Sequence, residues 1–406
     1  MNPSNSPSII HRVESSRDEF NNPCLYVRED AGFRNYSVTL VTDLLQPTNN
    51  VLSRYIRNSC NLDSNRVFVI ASPSVWKRFG NEITSSLLFH GVKHQVLHLK
   101  PRARSEDHKS LDGLAELATQ LQTHSPQGGD LLLVMGGGGL TDVAGFLAAT
   151  WRRGQLQYIS LPTTLLAAAD AALSPKTAVN VGNHKNILGN YYPPSSVLVW
   201  PGFLETVNRQ SLVDGMAEIV KIAVVADREL FAVVETSGQR MIAEHFQSHE
   251  GHQLLWRASE LFLRLKWDPK FPRTRNSIRS FGHAFSREAE GRSAYSLSHG
   301  EAVSIEMRIA IYLAMLKGIL NDLEGKRIME CFDRLGLATW ADCLEPNEVW
   351  DSVFRRLYET DQEFGFVTVR GIGEGTYLNR FTLDELSEAM VRCKKSANGR
   401  VLRVAP

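Results

Sequence analysis

The sequence is poor in cysteine and lacks an excess of charge of either sign. Five cysteines are spread singly over its 406 residues, at Cys24, Cys60, Cys331, Cys343 and Cys393. An odd number without a CxxC pair argues against a disulfide framework or a thiolate metal site and is typical of reduced thiols in a cytoplasmic protein. Lys and Arg number 45 against 44 for Asp and Glu, so neither a nucleic-acid partner nor an acidic tail is indicated.

Long apolar runs and a leader are also missing. Gly, Pro or charge interrupts every apolar run before about 18 residues, so no membrane span is expected. The polar start of the chain lacks the apolar core of a secretion signal. We therefore expect a cytoplasmic protein without a membrane partner. Hydrophobic residues make up 43% of the sequence, which is enough for two domains of ordinary size.

The order of apolar patterns divides the chain into an arm, an α/β part and a helical part. Residues 1–30 are rich in Asn, Ser and Pro and are expected to be a flexible arm or an oligomer contact. Residues 31–205 alternate strand-like and helical patterns, as in a parallel sheet with crossover helices. Residues 206–406 show mostly helical spacing. The predicted strands are Tyr36–Thr42, Arg66–Ala71, His94–Leu99, Asp130–Met135 and Leu156–Leu161, and the predicted helices include Ser74–His90, Leu111–His124, Thr141–Thr150, Ser211–Ala226, Leu254–Lys266, Gly300–Lys317 and Asp322–Leu335.

Four glycines, Gly136–Gly139, join a strand-like run directly to a helical pattern. Glycines at a strand end let the backbone approach a ligand, and the N–H groups of a helix that begins there point at phosphate. The junction would suit the pyrophosphate of a dinucleotide, although it is neither GxGxxG nor a Walker loop. The alternative is an ordinary tight strand–helix turn in which Asp142 caps the helix.

The stretch that follows places charged and amide groups among small residues. Lys176 and Lys185 lie beside Asn180 and Asn186. Ammonium and amide donors in this arrangement indicate a cradle for a phosphate or polyanion. A solvated loop is the alternative.

Two histidine motifs are candidates for a metal site. His283 in FGH and His299 in HGE are sixteen residues apart, and two histidines with one glutamate form the ligand set of a catalytic zinc site with open positions. The spacing is not HExxH, so the fold would have to assemble the set, and structural roles for both histidines stay open. Arg287 lies one turn beyond His283. Glu218 and Lys221 would share one helix face, which alone indicates a surface ion pair.

In their order and spacing, these motifs resemble the sugar-phosphate cyclases, a family that includes 3-dehydroquinate synthase, 2-deoxy-scyllo-inosose synthase and the 2-epi-5-epi-valiolone synthases. The likeness runs from about residue 30 to about residue 390 and rests on GGGGLTDVAGF, LPTTLLAAADAALSPKTAVN, HKNILGNYYPP, DGMAEIVK, FGHAF and HGEAV. It implies a Rossmann-like NAD-binding α/β domain and a mostly α-helical metal-binding domain. It also implies an active site in the cleft between them and a homodimer.

The resemblance transfers functional positions residue by residue. The implied ligands of zinc, with cobalt or iron as alternatives, are Glu218, His283 and His299. The implied NAD-binding residues are Glu106, Lys109, Gly137, Gly138, Asp142, Thr163, Thr164, Lys185, Phe203 and Thr206. The implied substrate-binding residues are Arg153, Lys176, Lys185, Asn186, Lys221, Lys266, Ser280 and Arg287, and the implied catalytic residues are Asp170, Lys176, Lys221 and Lys266. Arg153 matches an arginine that reaches the phosphate site of the neighbouring subunit.

The resemblance also implies a reaction on a phosphorylated ketose. The metal binds two neighbouring hydroxyls and lowers the pKa of one, so that hydride passes to NAD+. Phosphate is then eliminated, NADH returns the hydride, and ring opening with an intramolecular aldol closes a carbocycle. Lysines and amides around the phosphate stabilise its leaving charge.

The chain departs from the better-known members around FGH. 3-Dehydroquinate synthases have Asn before FGH and a second His four residues after the first, and valiolone synthases usually have Asp and Pro; this chain has Ser280 and Arg287. The arginine that binds the substrate carboxylate in the quinate enzymes falls at Asn276, which Arg275 and Arg279 flank. Family members carry lysines late in the chain, at positions that match 361–363, and this chain lacks them. Because it has gained Arg287, we predict that the positive charge that binds the phosphate has moved from one wall of the active site to another.

Other segments favour the valiolone type. Leu265–Phe271 and His184–Pro194 are similar to that group, whereas Ala171–Ser174 is similar to the inosose group and other motifs are equally typical of quinate synthases. We expect a C7 cyclitol synthase of secondary metabolism that acts on sedoheptulose 7-phosphate. 3-Dehydroquinate synthase and 2-deoxy-scyllo-inosose synthase activities are alternatives. A related alcohol dehydrogenase, or a non-catalytic paralogue that binds NAD or a sugar phosphate, is an alternative of another class.

Overall fold

The computed structural model describes residues 11–29, 35–102, 105–182, 184–267, 277–358, 365–397 and 401–402. The strands are β1 (His11–Arg17), β2 (Pro23–Glu29), β3 (Tyr36–Leu40), β4 (Val67–Ala71), β5 (His94–His98), β6 (Leu131–Gly136), β7 (Gln157–Pro162), β8 (Lys176–Val181), β9 (His184–Tyr191), β10 (Ser196–Val199), β11 (Trp340–Ala341), β12 (Phe366–Gly371), β13 (Glu374–Leu378) and β14 (Val401–Leu402). The helices are α1 (Val51–Ser59), α2 (Pro73–Phe89), α3 (Leu111–Thr123), α4 (Gly138–Thr150), α5 (Leu165–Ala169), α6 (Arg209–Ala226), α7 (Arg228–Ala243), α8 (His249–Trp267), α9 (Ser286–Arg292), α10 (His299–Leu316), α11 (Asp322–Leu335), α12 (Pro346–Tyr358) and α13 (Leu383–Ser396).

The first half of the chain is built on a sheet of eight strands in the described residues, in the order β1-β2-β3-β10-β7-β6-β4-β5. The strands from β3 to β5 in this order run parallel. Val67 and Val69 of β4 pack with α1 and α2 on one face, whereas Phe68 and Ile70 pack with α3 and α4 on the other. Strands covered on both faces explain the continuous apolar runs of the sequence. The predicted α/β architecture is confirmed.

The prediction of a flexible arm over residues 1–30 is wrong for residues 11–29. These residues form β1 and β2, an antiparallel hairpin that extends the sheet beside β3. Leu25 and Val27 point into the core, Cys24 is buried on the opposite face of the sheet, and all three are at most 3% exposed. The Asn- and Ser-rich composition hid this short apolar face, because a hairpin needs only a few buried side chains. Residues 1–10 lie outside the described residues.

The second half is mostly helical, as predicted, and packs against β2, β3 and β10 through one continuous core. Helices α6 and α10 lie at its centre, and most of their residues are buried: 13 of 18 in each. Helices α7, α12 and α13 and the hairpin β12–β13 were not among the predicted elements. Among the described residues, every helix is too short or too polar to span a bilayer. The boundary at residue 205 stays a prediction.

Candidate active site

The glycine junction and the Thr163-Thr164 pair lie at one edge of the sheet. Gly136 at the end of β6 is the register partner of Pro162 at the end of β7. The N–H of Thr163 donates to the carbonyl oxygen of Gly136 at 3.0 Å, and Gly137 is the N-cap of α4. Open α/β sheets bind ligands beyond the carboxyl ends of their parallel strands. Gly137 and Thr163, two of the predicted nucleotide-binding residues, therefore lie where such a fold holds ligands.

Close packing at this edge brings Asp170 beside α4. Thr164 caps the short helix α5, because its hydroxyl accepts the N–H of Ala167 at 3.2 Å. Asp170 follows α5 directly. A Cβ at Gly138 would lie 2.9 Å from the Cβ of Ala171. Glycine at position 138 thus permits the approach of α4 to the segment that carries Asp170.

A network of charges surrounds the start of α4. Lys109 forms an ion pair with Asp142, so Asp142 is not the helix cap. Glu106 accepts the side-chain amide of Asn180 at 2.8 Å and lies 3.2 Å from the Nζ of Lys185. Burial would raise the pKa of Glu106, but Lys109 and Lys185 outweigh burial and lower the pKa. The carboxylate of Glu106 is therefore ionised at neutral pH.

The lysine- and asparagine-rich stretch is a β-hairpin, β8–β9, and not a solvated loop. Asn186 has a φ of 57°, and its N–H donates to the side-chain oxygen of Asn180 at 3.0 Å. Lys176 is exposed, and its Nζ lies 5.9 Å from the ring centroid of Tyr191. Lys185 points instead toward two carboxylates. The hairpin therefore separates the two lysines into different environments.

Three predicted metal ligands from three different segments meet in the helical half. Glu218 lies in the middle of α6, His283 precedes α9, and His299 is the first residue of α10. One ligand atom from each lies within 4.8 Å of the others. The Oε1 atom of Glu218 is 3.7 Å from the Nε2 of His283 and 3.3 Å from the Nε2 of His299. The fold thus brings together three ligands whose spacing in the sequence does not by itself define a metal site.

The hydrogen bonds around these three residues fit a cation. The Nδ1 atoms of His283 and His299 lie 3.1 Å from the carbonyl oxygen of Phe281 and 2.9 Å from a carboxylate oxygen of Glu290. Both acceptors place the proton on Nδ1, which leaves the Nε2 lone pairs directed at Glu218. The Oε1 atom of Glu218 is buried and has no hydrogen-bond partner among the described residues. Three converging electron-pair donors of this type suit Zn²⁺.

Burial and the neighbouring charges shift the pKa of all three residues. Burial and Lys221 hold the pKa of His283 well below its usual range. Burial would raise the pKa of Glu218, but Lys221 and the two histidines hold the pKa well below its usual range. Burial would lower the pKa of His299, but Glu290 and Glu218 outweigh it and raise the pKa to about 9. The two carboxylates that raise the pKa of His299 would also attract a cation to this position.

Lys221 and Asp170 extend the metal set toward the sheet. Lys221 is 2% exposed and is bonded to Glu218, so the surface ion pair that the sequence left open is wrong. Its Nζ lies 3.7 Å from the Oδ2 of Asp170. Burial and the charge of Glu218 raise the pKa of Asp170 to about 6. A carboxyl group with such a pKa can accept and return a proton near neutral pH.

Two cations, Lys266 and Arg279, also lie near Asp170. Lys266 is 7% exposed, and its Nζ lies 5.6 Å from the ring centroid of Phe262. The guanidinium carbon of Arg279 lies 5.9 Å from the same centroid. Burial, Arg279 and Lys176 hold the pKa of Lys266 well below its usual range. An anionic ligand group would relieve this repulsion.

Several residues that the resemblance implies do not direct their side chains into this site. Arg153, on a turn with a φ of 67°, and Arg287, on α9, are both exposed. The Phe203 side chain is 1% exposed and lies among aromatic rings of the core, so only its main chain is available to a cofactor. Thr206 is exposed, and Ser280 accepts the N–H of His283 through its carbonyl oxygen at 2.9 Å. Arg275, Asn276 and residues 268–271 and 361–363 lie outside the described residues.

Sequence reasoning missed two buried carboxylates next to the metal set. Glu290 accepts the Nδ1–H of His299, as described above. Glu306 accepts the N–H groups of Ala284, Phe285 and Ser286 at 2.5, 2.8 and 2.7 Å. The available signal was a charged residue inside an otherwise apolar helical pattern, as in the AVSIEMRIAI stretch of α10.

Glu306→Gln is expected to destabilise the protein and weaken metal binding. The glutamine amide would present donors to N–H groups, and each lost bond to a charged acceptor costs about 1.5–3 kcal/mol. The turn that carries His283 would then shift. Chemical denaturation with Co²⁺ titration measures both effects, and Glu330→Gln, at an exposed site on α11, is the control. An unfolding midpoint like that of the control would contradict the role of Glu306.

Gly300→Ala is expected to separate α10 from α6. A Cβ at position 300 would lie 2.3 Å from the Cα of Asp214, so a backbone must move. Overpacking of this kind costs about 1–3 kcal/mol, and the shift would carry His299 away from Glu218. Gly128→Ala is the matched control, because a Cβ there meets nothing closer than 3.8 Å. Thermal unfolding and Co²⁺ affinity unchanged from that control would refute the argument.

Comparisons with known proteins agree with this geometry. The 3-dehydroquinate synthase N-terminal family matches residues 101–214, and the corresponding C-terminal family matches residues 215–356. The 2-epi-5-epi-valiolone synthase of Actinoplanes sp. SE50/110 is 32% identical over 354 residues, which cover 84% of this chain and 86% of that protein. The 3-dehydroquinate synthase of Dehalococcoides mccartyi strain BAV1 is 30% identical over 341 residues, with coverage of 84% and 92%.

A solved structure shares the whole architecture. It is that of ValA, a 2-epi-5-epi-valiolone synthase from Streptomyces hygroscopicus subsp. jinggangensis 5008, with NAD+ and Zn²⁺ bound. It matches 90% of this chain and 98% of its own with a TM-score of 0.81 at 29% identity.

Proposed function

The chain belongs to the 3-dehydroquinate synthase family of sugar-phosphate cyclases, and from that premise we propose that it converts sedoheptulose 7-phosphate to a C7 cyclitol and inorganic phosphate. The product would be 2-epi-5-epi-valiolone or an epimer. The observation that carries the proposal is the convergence of Glu218, His283 and His299 beside Asp170 and Lys221. Similarity to valiolone synthases over most of the chain supports the choice of substrate.

NAD+ and a divalent ion are the proposed cofactors, as in the ValA structure. When bound, they would supply a hydride acceptor and a Lewis acid for neighbouring hydroxyls of the substrate. We propose that Glu218, His283 and His299 hold the ion, with Zn²⁺ as the first choice. The nucleotide would lie at the edge of the sheet formed by Gly137 and Thr163. The N–H groups at the start of α4 suit its pyrophosphate.

The remaining residues of the site would bind the substrate and move protons. Asp170, with its pKa raised to about 6, would take the proton of the substrate hydroxyl as that group is oxidised, and would return the proton when the group is reduced. Lys221 would keep Glu218 ionised and orient Asp170. Lys266 and Lys176 would bind the phosphate and stabilise the charge that develops as it leaves.

A homodimer is part of the proposal. Arg153 is exposed on a tight turn, which suits a residue that acts in the site of a neighbouring subunit. Ile187, Leu188 and Tyr191 leave β9 with an exposed apolar surface. Sedimentation equilibrium measures the state directly, and a monomer at micromolar concentration would remove Arg153 from the proposed site.

3-Dehydroquinate synthase activity is the second candidate, because Arg279 lies beside Lys266 around Phe262. Two cations at one end of the site would suit a substrate carboxylate as well as a phosphate. Asn276 opposes this candidate, since it replaces the arginine with which the quinate enzymes bind the carboxylate.

Parallel substrate assays distinguish the two candidates. The metal-loaded protein with NAD+ would receive sedoheptulose 7-phosphate, the C7 heptulosonate phosphate or glucose 6-phosphate, with phosphate release and product NMR as readouts. We expect release from sedoheptulose 7-phosphate, with the NMR spectrum identifying the epimer. Release only from the heptulosonate or from glucose 6-phosphate would replace the proposal with a quinate or an inosose synthase. Release from none would favour a non-catalytic role.

A further inference from the structure

Glu290 on α9 is a buried carboxylate with partners on two sides. It is 2% exposed. One oxygen accepts the Nδ1–H of His299 at 2.9 Å, and the other accepts from the Nζ of Lys185 at 2.5 Å. His299 is a proposed metal ligand on α10, whereas Lys185 lies on β9 in the first half of the chain. A single side chain therefore joins the metal set to the hairpin.

Lys185 continues the connection toward the nucleotide edge. Its Nζ lies 3.2 Å from Glu106, which also accepts the side-chain amide of Asn180. Only 10% of the Lys185 side chain is exposed, and two carboxylates flank it. Buried charges of this kind are strongly held by their partners, because each is costly when left unpaired. The path His299–Glu290–Lys185–Glu106 is thus continuous.

We propose that Glu290 is a positioning residue that couples the metal site to the nucleotide site. This inference rests on the proposed function, because it assumes that Glu218, His283 and His299 hold the metal ion and that NAD+ lies at the edge of the sheet. A divalent ion on His299 would fix its Nδ1–H toward Glu290, which would hold Lys185 against Glu106. Part of the ordering that NAD+ binding requires would then be complete before NAD+ arrives. Metal would therefore tighten NAD+ binding, and NAD+ would tighten metal binding equally.

A thermodynamic cycle measures this coupling without turnover. The affinity of the metal-stripped full chain for NAD+ is measured by calorimetry with and without Co²⁺, whose absorption spectrum reports its own binding. We expect Co²⁺ to tighten NAD+ binding in the wild type by about fivefold or more, the lower end of usual coupling energies. In Glu290→Gln and in Lys185→Met, which cut the path on either side, the ratio should fall to about one.

The control is Glu288→Gln, which removes an exposed charge from the same helix and should keep the wild-type ratio. Lys185→Met retains the three metal ligands and Glu290, so it tests the coupling if Glu290→Gln folds poorly. A wild-type ratio that persists in Lys185→Met, or a ratio of one in the wild type, overturns the coupling. A wild type that binds neither NAD+ nor Co²⁺ overturns the proposed function along with it.

Discussion

Glu218→Gln should lose its divalent ion and reduce phosphate release by about 10³-fold or more. The amide cannot supply the anionic ligand, and the lost Lewis acid is worth several kcal/mol of transition-state stabilisation, where each 1.36 kcal/mol is about tenfold in rate. The Oε1 atom of Glu218 is the buried atom toward which both histidine Nε2 atoms point. Co²⁺ stoichiometry and phosphate release measure the two effects.

Glu330→Gln, at an exposed position, should retain wild-type metal content and activity. Retention of one tightly bound ion by Glu218→Gln, with phosphate release within about tenfold of the wild type, would show that the carboxylate is not a ligand. Loss of the ion with unchanged release would instead separate the metal from the reaction.

Lys221→Met should destabilise the metal-free protein by about 3–5 kcal/mol, the usual cost of removing one partner from a buried ion pair. Lys221 is bonded to Glu218, and the two side chains are 3% and 2% exposed. The matched control is Lys317→Met, which breaks a Lys–Glu pair whose side chains are 30% and 35% exposed. Exposed pairs contribute about 0–1 kcal/mol. Equal losses in urea denaturation for the two variants would contradict the buried arrangement.

Most of the sheet could be predicted from the sequence, because its strands are buried on both faces. The run DLLLVM followed by glycines is β6 and the start of α4, and the order of the helical patterns gives α6, α8, α10 and α11. The hairpin of β1 and β2 could not be predicted in this way. Its apolar face consists of a few residues within a polar stretch, so composition pointed to disorder.

Only those residues of the candidate site that lie in recognisable sequence motifs could be predicted. Glu218, His283 and His299 come from the resemblance, since no local spacing connects α6 with α10. Glu290 and Glu306 act through contacts between distant segments, and the sequence marks them only as charges in apolar surroundings. The same holds for Lys185, whose two carboxylate partners lie before β8 and on α9. Tertiary packing decides which polar residues face one another.

In the proposed reaction, one bound NAD+ supports repeated cyclisation, because the hydride that it accepts is returned before the ring closes. The most direct measurement follows inorganic phosphate and absorbance at 340 nm together, with sedoheptulose 7-phosphate, the metal-loaded protein and NAD+ equal in amount to the protein. We expect many equivalents of phosphate for each NAD+ and no net NADH. Stoichiometric NADH without phosphate would contradict this expectation and indicate a simple dehydrogenase on the same fold.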